Sequence, residues 1–212
     1  MKKTRLFSLL VVMLSATLCS MAQPDGYKAI SNTEKTLLIT AMNTNMQSVQ
    51  CSFKQEKKSA LLNETAVSEG VMYFKKPSSL RWEYTSPTPS TVVMYDGKVT
   101  VSDANGGSQA KKGRMFRELA TIIANVVSGK EFESEKNFKT QYYSNATSYW
   151  IKMTPATRRL KAFFNHIELT VDKARQVAVK MYMDEKEGDS TLITFSNHKV
   201  NVAIDDKMFK LK

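Results

Sequence analysis

Between residues 49 and 196, one segment after another alternates apolar with polar side chains at a period of two. Val49, Cys51 and Phe53 alternate with Gln50, Ser52 and Lys54, and Leu80, Trp82 and Tyr84 alternate with Arg81 and Glu83. That period belongs to a pleated strand with one buried face, because successive side chains point to opposite sides. Further strand candidates follow at 69–76, 79–85, 91–95, 98–102, 138–144, 148–154, 162–171, 176–184 and 191–196. Turn residues separate them. Pro77-Ser78 makes a corner where proline cannot donate a ladder bond, and Asp96-Gly97 tolerates the positive φ of a two-residue hairpin turn. Asn145, Asp172-Lys173 and Glu187-Gly188-Asp189 punctuate most of the later strands.

Two segments break this period. Over residues 29–46, Ile30, Leu37, Leu38, Ala41, Met42 and Met46 recur at helical spacing, and Ser31 to Glu34 offers a capping box. After Asn105-Gly106-Gly107-Ser108, a broad apolar stripe of Met115, Phe116, Leu119, Ile122, Ile123, Val126 and Val127 predicts a second helix. Gly129 is placed to cap its end. The helices interrupt the strands rather than alternate with them, which disfavours a parallel βαβ architecture. The expected class is mostly β with helices (α+β). About ten consecutive antiparallel strands curl into a barrel or half-barrel, and the second helix then covers its mouth or fills its hollow.

The N-terminus sets the compartment. Lys2, Lys3 and Arg5 precede an apolar run over 6–18 and small residues at Ser20 and Ala22, the pattern of a cleaved signal peptide. The expected organisation is a leader at 1–22 and a single domain at 23–212, exported to the periplasm. The apolar run is shorter than the roughly 20 residues that a membrane-spanning helix needs. Cys19 raises the question of a lipid anchor, but Leu18 stands where an acylation site wants a small residue. With the leader gone, Cys51 is the single cysteine. It forms no internal disulfide and is expected to be a buried small hydrophobe. Cleavage removes three of the 31 basic residues and none of the 20 acidic ones, leaving a net charge of +8. In an exported chain that charge points to anionic membrane surfaces or acidic proteins rather than nucleic acid, and solubility alone accounts for it equally well.

No constellation for chemistry emerges. His166 and His198 show no neighbouring ligand at metal spacing. The acidic run over 184–189 contains Lys186, lacks the alternation of a calcium loop and is expected to be a solvated turn. A nucleophile elbow, a phosphate loop and a dinucleotide fingerprint are all missing. The expectation is a protein that is not an enzyme, with no catalytic residue, metal or cofactor.

Residues 48–98 resemble the periplasmic outer-membrane lipoprotein carriers, the LolA-like family. The matching pieces are Phe53-Lys54-Gln55, Glu69-Gly70-Val71-Met72-Tyr73-Phe74-Lys75-Lys76-Pro77, Leu80-Arg81-Trp82-Glu83-Tyr84 and Asp96-Gly97-Lys98, in that order. Beyond Ser102 the resemblance is one of layout, ending in a stretch like Val202-Ala203-Ile204-Asp205-Asp206-Lys207-Met208-Phe209-Lys210. It implies an unclosed antiparallel β-barrel with an N-terminal helix and a helical lid over an apolar cavity. The implied role is to take lipid-modified proteins as cargo from an inner-membrane lipoprotein-releasing transporter and pass them to an outer-membrane acceptor or to the membrane itself.

Period-two phasing then lines the acyl-chain cavity with Met72, Phe74, Leu80, Trp82 and Tyr84, and the lid helix adds Met115, Leu119, Ile122 and Ile123. Thioethers and aromatic rings suit a pocket for variable chains. The same side chains packed on one another as a filled core are the other arrangement open to such a barrel. The family's corner typically carries arginine before the proline, tying the lid shut, and here that position is Lys76. Lysine has three donors but no planar fork, so the latch is expected to be weaker or differently wired. The chain also lacks the tail that some carriers have after the position of Phe209, which leaves open receptor-mediated and direct delivery. A binding protein for another lipid or hydrophobic small molecule on the same scaffold is the alternative reading.

Overall fold

The computed structural model describes residues 24–103, 110–132 and 136–211, with the side chains of 103, 110–117 and 119 outside that description. The leader expected at 1–22 lies outside the described residues. Strand β1 (Lys28–Ala29) leads to helix α1 (Asn32–Asn45), then to β2 (Ser48–Ser59), β3 (Glu64–Lys75), β4 (Ser79–Ser86), β5 (Ser90–Tyr95) and β6 (Lys98–Asp103). Helix α2 (Ala110–Val127) follows, then β7 (Phe138–Ser144), β8 (Ser148–Pro155), helix α3 (Arg158–Lys161), β9 (Phe164–Asp172), β10 (Val177–Glu185) and β11 (Ser190–Val200). All eleven strands form one antiparallel sheet in the order β1-β7-β8-β9-β10-β11-β2-β3-β4-β5-β6. β1 and β6 are its unjoined edges, and the chain passes from β6 to the opposite side of the sheet through α2.

One face of the sheet wraps a single buried cluster. It holds Val49, Cys51 and Phe53 from β2, Met72 and Phe74 from β3, and Leu80, Trp82 and Tyr84 from β4. The facing strands supply Ile151, Met153, Ile167, Leu169, Met181, Met183, Ile193 and Phe195. Both helices enter the same cluster, α1 through Leu38 and Met42 and α2 through Ala120, Ile122, Ile123, Ala124, Val126 and Val127. Each fully buried large side chain contributes roughly 1.5–3 kcal/mol, so both helices add to what the ladders of the curved sheet hold together.

Local chemistry explains most boundaries. Asp96 and Gly97 both take positive φ, 50° and 71°, as the hairpin between β5 and β6 requires. Gly129, at φ 80°, ends α2 and donates its N–H to the Val126 carbonyl at 3.1 Å. Ser31 Oγ caps α1 by accepting from Glu34 N at 3.2 Å. The Glu34 carboxylate accepts from Ser144 Oγ at 3.3 Å and lies 3.7 Å from Lys173 Nζ instead of reaching back to the cap. Helical spacing over residues 29–46 hid β1, because two residues are too few to show a period. α3 was missed as well, because its single turn, capped by Thr157 and burying Leu160, is too short to show a helical period.

The outer face carries its own anchors. Trp150 packs against Tyr143 at 5.3 Å and Tyr27 at 6.4 Å between ring centroids. The C-terminal turn Asp206–Phe209 closes on the outside of β3 to β5. There Phe209 stacks on Tyr95 at 6.4 Å, Arg81 donates to the Met208 carbonyl at 3.3 Å, and Lys75 pairs with Asp206 at 2.6 Å.

Candidate functional site

Seven of the nine expected cavity residues meet in the hollow. Met72, Phe74, Leu80, Trp82, Tyr84, Ile122 and Ile123 are all buried there, while the side chains of Met115 and Leu119 lie outside the described residues. Strand pairing sets this geometry, since Cys51, Met72, Trp82 and Val92 stand in register across β2 to β5. Phe53 stacks on Trp82 at 4.0 Å and meets Tyr84 edge-on at 5.3 Å. Gly70 makes room for that platform, because a Cβ there would come within 2.6 Å of the Phe53 ring and 2.0 Å of the Glu83 carbonyl.

Among the described residues, side chains of α1 and α2 enter the hollow, and a space of about 20 Å³ lies beside Met42, Met46, Val126, Val127 and Phe195. A larger cleft of about 270 Å³ opens toward the other end of β2, where Tyr84, Phe164, Met183 and Pro87 face Gln55, Lys57, Glu185 and Thr191. Inward phasing along β2 runs Val49, Cys51, Phe53, Gln55, Lys57. The two polar positions at its end were therefore legible as inward-facing, and only their polarity masked them.

Lys76 does latch a helix, and the described bond is to α1. Its ammonium donates to the carbonyl of Asn43 in the last turn of α1, where an orphan carbonyl and the negative end of the helix dipole favour a cation. Its backbone N–H donates to the Gln47 carbonyl at 2.9 Å. Gly129, just past α2, packs on the same residue: a Cβ on it would lie 1.9 Å from Asn43 Oδ1. One asparagine thus joins the strand corner, the end of α1 and the end of α2.

Electrostatics follow burial. The Cys51 thiol is pushed up to about 12 by burial, which leaves it almost wholly protonated and chemically quiet. Burial also pushes the Tyr84 hydroxyl up to about 12, against the opposing pull of Trp82 and Gln55. His166 was read as having no neighbouring ligand at metal spacing, and it gains carboxylate partners through the sheet. The ladder brings Glu168 to 3.0 Å from Nε2 and Asp184 to 3.1 Å from Nδ1, on the outer face, so both ring nitrogens are engaged. Among the described residues no group of three or more His, Cys, Asp or Glu is arranged to hold a metal ion, and no helix is long and apolar enough to cross a membrane.

Residues 44–212 match the family model described as outer membrane lipoprotein carrier protein LolA. An outer-membrane lipoprotein carrier protein of Methylococcus capsulatus is 25% identical over 186 residues, covering 87% of this chain and 86% of its own length. One from Neisseria meningitidis is 25% identical over 211 residues, covering 99% and 94%. Among solved structures, MucB is similar with a TM-score of 0.50 at 13% identity, over 85% of this chain and 62% of its own, a likeness of fold.

Proposed function

This chain belongs to the family of outer membrane lipoprotein carrier proteins, LolA, and from that premise we propose that it is a periplasmic carrier. It shelters the acyl chains of lipid-modified proteins between the inner and outer membranes. The observation that carries this reading is the nature of the plug: the hollow of an unclosed sheet is filled by side chains from two helices rather than by the sheet alone. A helix can withdraw without breaking a strand ladder. Withdrawal of α2 would bare Met72, Phe74, Leu80, Trp82 and Tyr84 as one apolar wall. Each acyl CH₂ kept from water is worth about 0.8 kcal/mol, enough for a long chain to replace the helix's own leucine-sized contacts.

In this reading residues 1–22 are the export leader and 23–212 the carrier domain. The cargo comes from an inner-membrane lipoprotein-releasing transporter and goes to an outer-membrane acceptor or to the membrane itself. Carriage of this kind breaks no covalent bond and calls for no cofactor. Mass spectrometry of ligands retained after gentle purification from the periplasm tests it. Acylated proteins are expected. Free lipids alone would favour a binding protein for another lipid on this scaffold, and a protein that is always empty and binds no apolar dye would overturn both.

A further inference from the structure

The cleft at the end of β2 joins the apolar hollow and is lined unlike it. Lys57 Nζ pairs with Glu185 Oε2 at 2.9 Å, and Thr191 Oγ1 donates to Glu185 Oε1 at 2.5 Å. Both oxygens of the carboxylate are therefore engaged, Lys57 is held in place with its charge balanced, and two of its N–H donors are left for another acceptor. Tyr84 Oη donates to Gln55 Oε1 at 3.0 Å, which leaves the Gln55 amide N–H₂ to donate. Ser68, Thr88 and Ser90 add hydroxyls to the same lining.

Beside Tyr84, but outside the lining of the cleft, the indole N–H of Trp82 is buried with no hydrogen-bond partner among the described residues. It stands near enough to Tyr84 to bear on that hydroxyl, but not at bonding geometry. A buried donor without an acceptor is uncommon and destabilising. A hydrocarbon chain alone would not satisfy it.

We propose that this cleft binds the ester-linked glyceryl head of an acylated ligand. Its carbonyl oxygens accept from Lys57 and Gln55 at the mouth and from Trp82 further in, while the chains run inward past Tyr84, Phe164 and Met183. The balanced Lys57–Glu185 pair suits neutral carbonyls better than a free anion, because an added charge beside Glu185 would be repelled. This rests on the carrier reading and specifies which part of the cargo is recognised.

The test compares dissociation constants for three probes: a diacylglyceryl-cysteine lipopeptide, its dialkyl-ether analogue without ester carbonyls, and phosphatidylglycerol. They are measured on the full mature chain, on Gln55→Leu, and on Lys57→Met/Glu185→Gln, which removes the ammonium without stranding a carboxylate. The wild type is expected to favour the ester over the ether lipopeptide about tenfold, as two hydrogen bonds allow, and each variant, which removes one of the two, is expected to cut that preference to about threefold while binding the ether as before.

Equal losses for ester and ether, or a preference undiminished in the variants, would overturn the cleft assignment and leave the carrier reading standing. Ester-dependent binding of phosphatidylglycerol with none of either lipopeptide would uphold the glyceryl site and overturn the carrier reading. Failure to bind any of the three would overturn both.

Discussion

Glu131 sits buried in the turn after α2, where its Oε2 accepts from Asn137 Nδ2 at 3.3 Å and Asn125 Nδ2 at 3.4 Å. Burial raises its carboxyl above the ordinary value, and the two amides only partly offset that. The folded state therefore holds the proton more tightly than the unfolded chain does. Stability falls as pH rises from the ordinary carboxyl range through the raised value, and the loss is complete above it. Glu131→Gln, which removes the charge and keeps an acceptor, is predicted to unfold at a higher temperature than wild type at pH 7, with the gap closing toward pH 4. A lower midpoint at pH 7 would show instead that the two asparagines over-compensate the burial. Residues of this kind were not legible beforehand, because nothing local to Glu131 separates a buried glutamate from the solvated ones around it. Gln55 and Lys57 were half legible: phasing along β2 aims them inward, but a polar residue at an inward position reads as the end of the buried stretch.

At the scale of elements, the segments with a strong period were found nearly to the residue, as β7 and the Asp96-Gly97 hairpin show. The start of β3 was missed, because Glu64, Thr65, Ala66 and Val67 are exposed on both faces and their alternation vanishes. α2 was legible from its stripe, but not the direction of its attachment. Lys76 was expected to hold the lid; among the described residues its ammonium bonds the end of α1 at the Asn43 carbonyl, and Asn43 packs on Gly129 just past α2. Lys76→Ala is accordingly predicted to lose about 1.5–3 kcal/mol of stability, as for a hydrogen bond to a charged donor, and to release a bound lipopeptide faster. Lys76→Arg should recover most of both. Urea unfolding and dissociation rates would check this, and an alanine variant matching wild type in both would reduce Lys76 to a strand-end residue.

At the scale of the molecule, the sheet's size, antiparallel order and curvature followed from strand count. Its failure to close did not, because strand patterning cannot show whether the last strand meets the first. That gap between β1 and β6 is what the carrier reading needs and a filled barrel does not, and on that reading acyl chains take the place of the helix in the hollow. The two tryptophans stand on opposite faces, Trp82 in the hollow and Trp150 on the outside. A lipopeptide with brominated acyl chains, titrated into Trp150→Phe and Trp82→Phe, therefore reports on each face alone. Saturable quenching of Trp82 with Trp150 left bright is the predicted result. Quenching of Trp150 alone, or binding that quenches neither, would contradict the account.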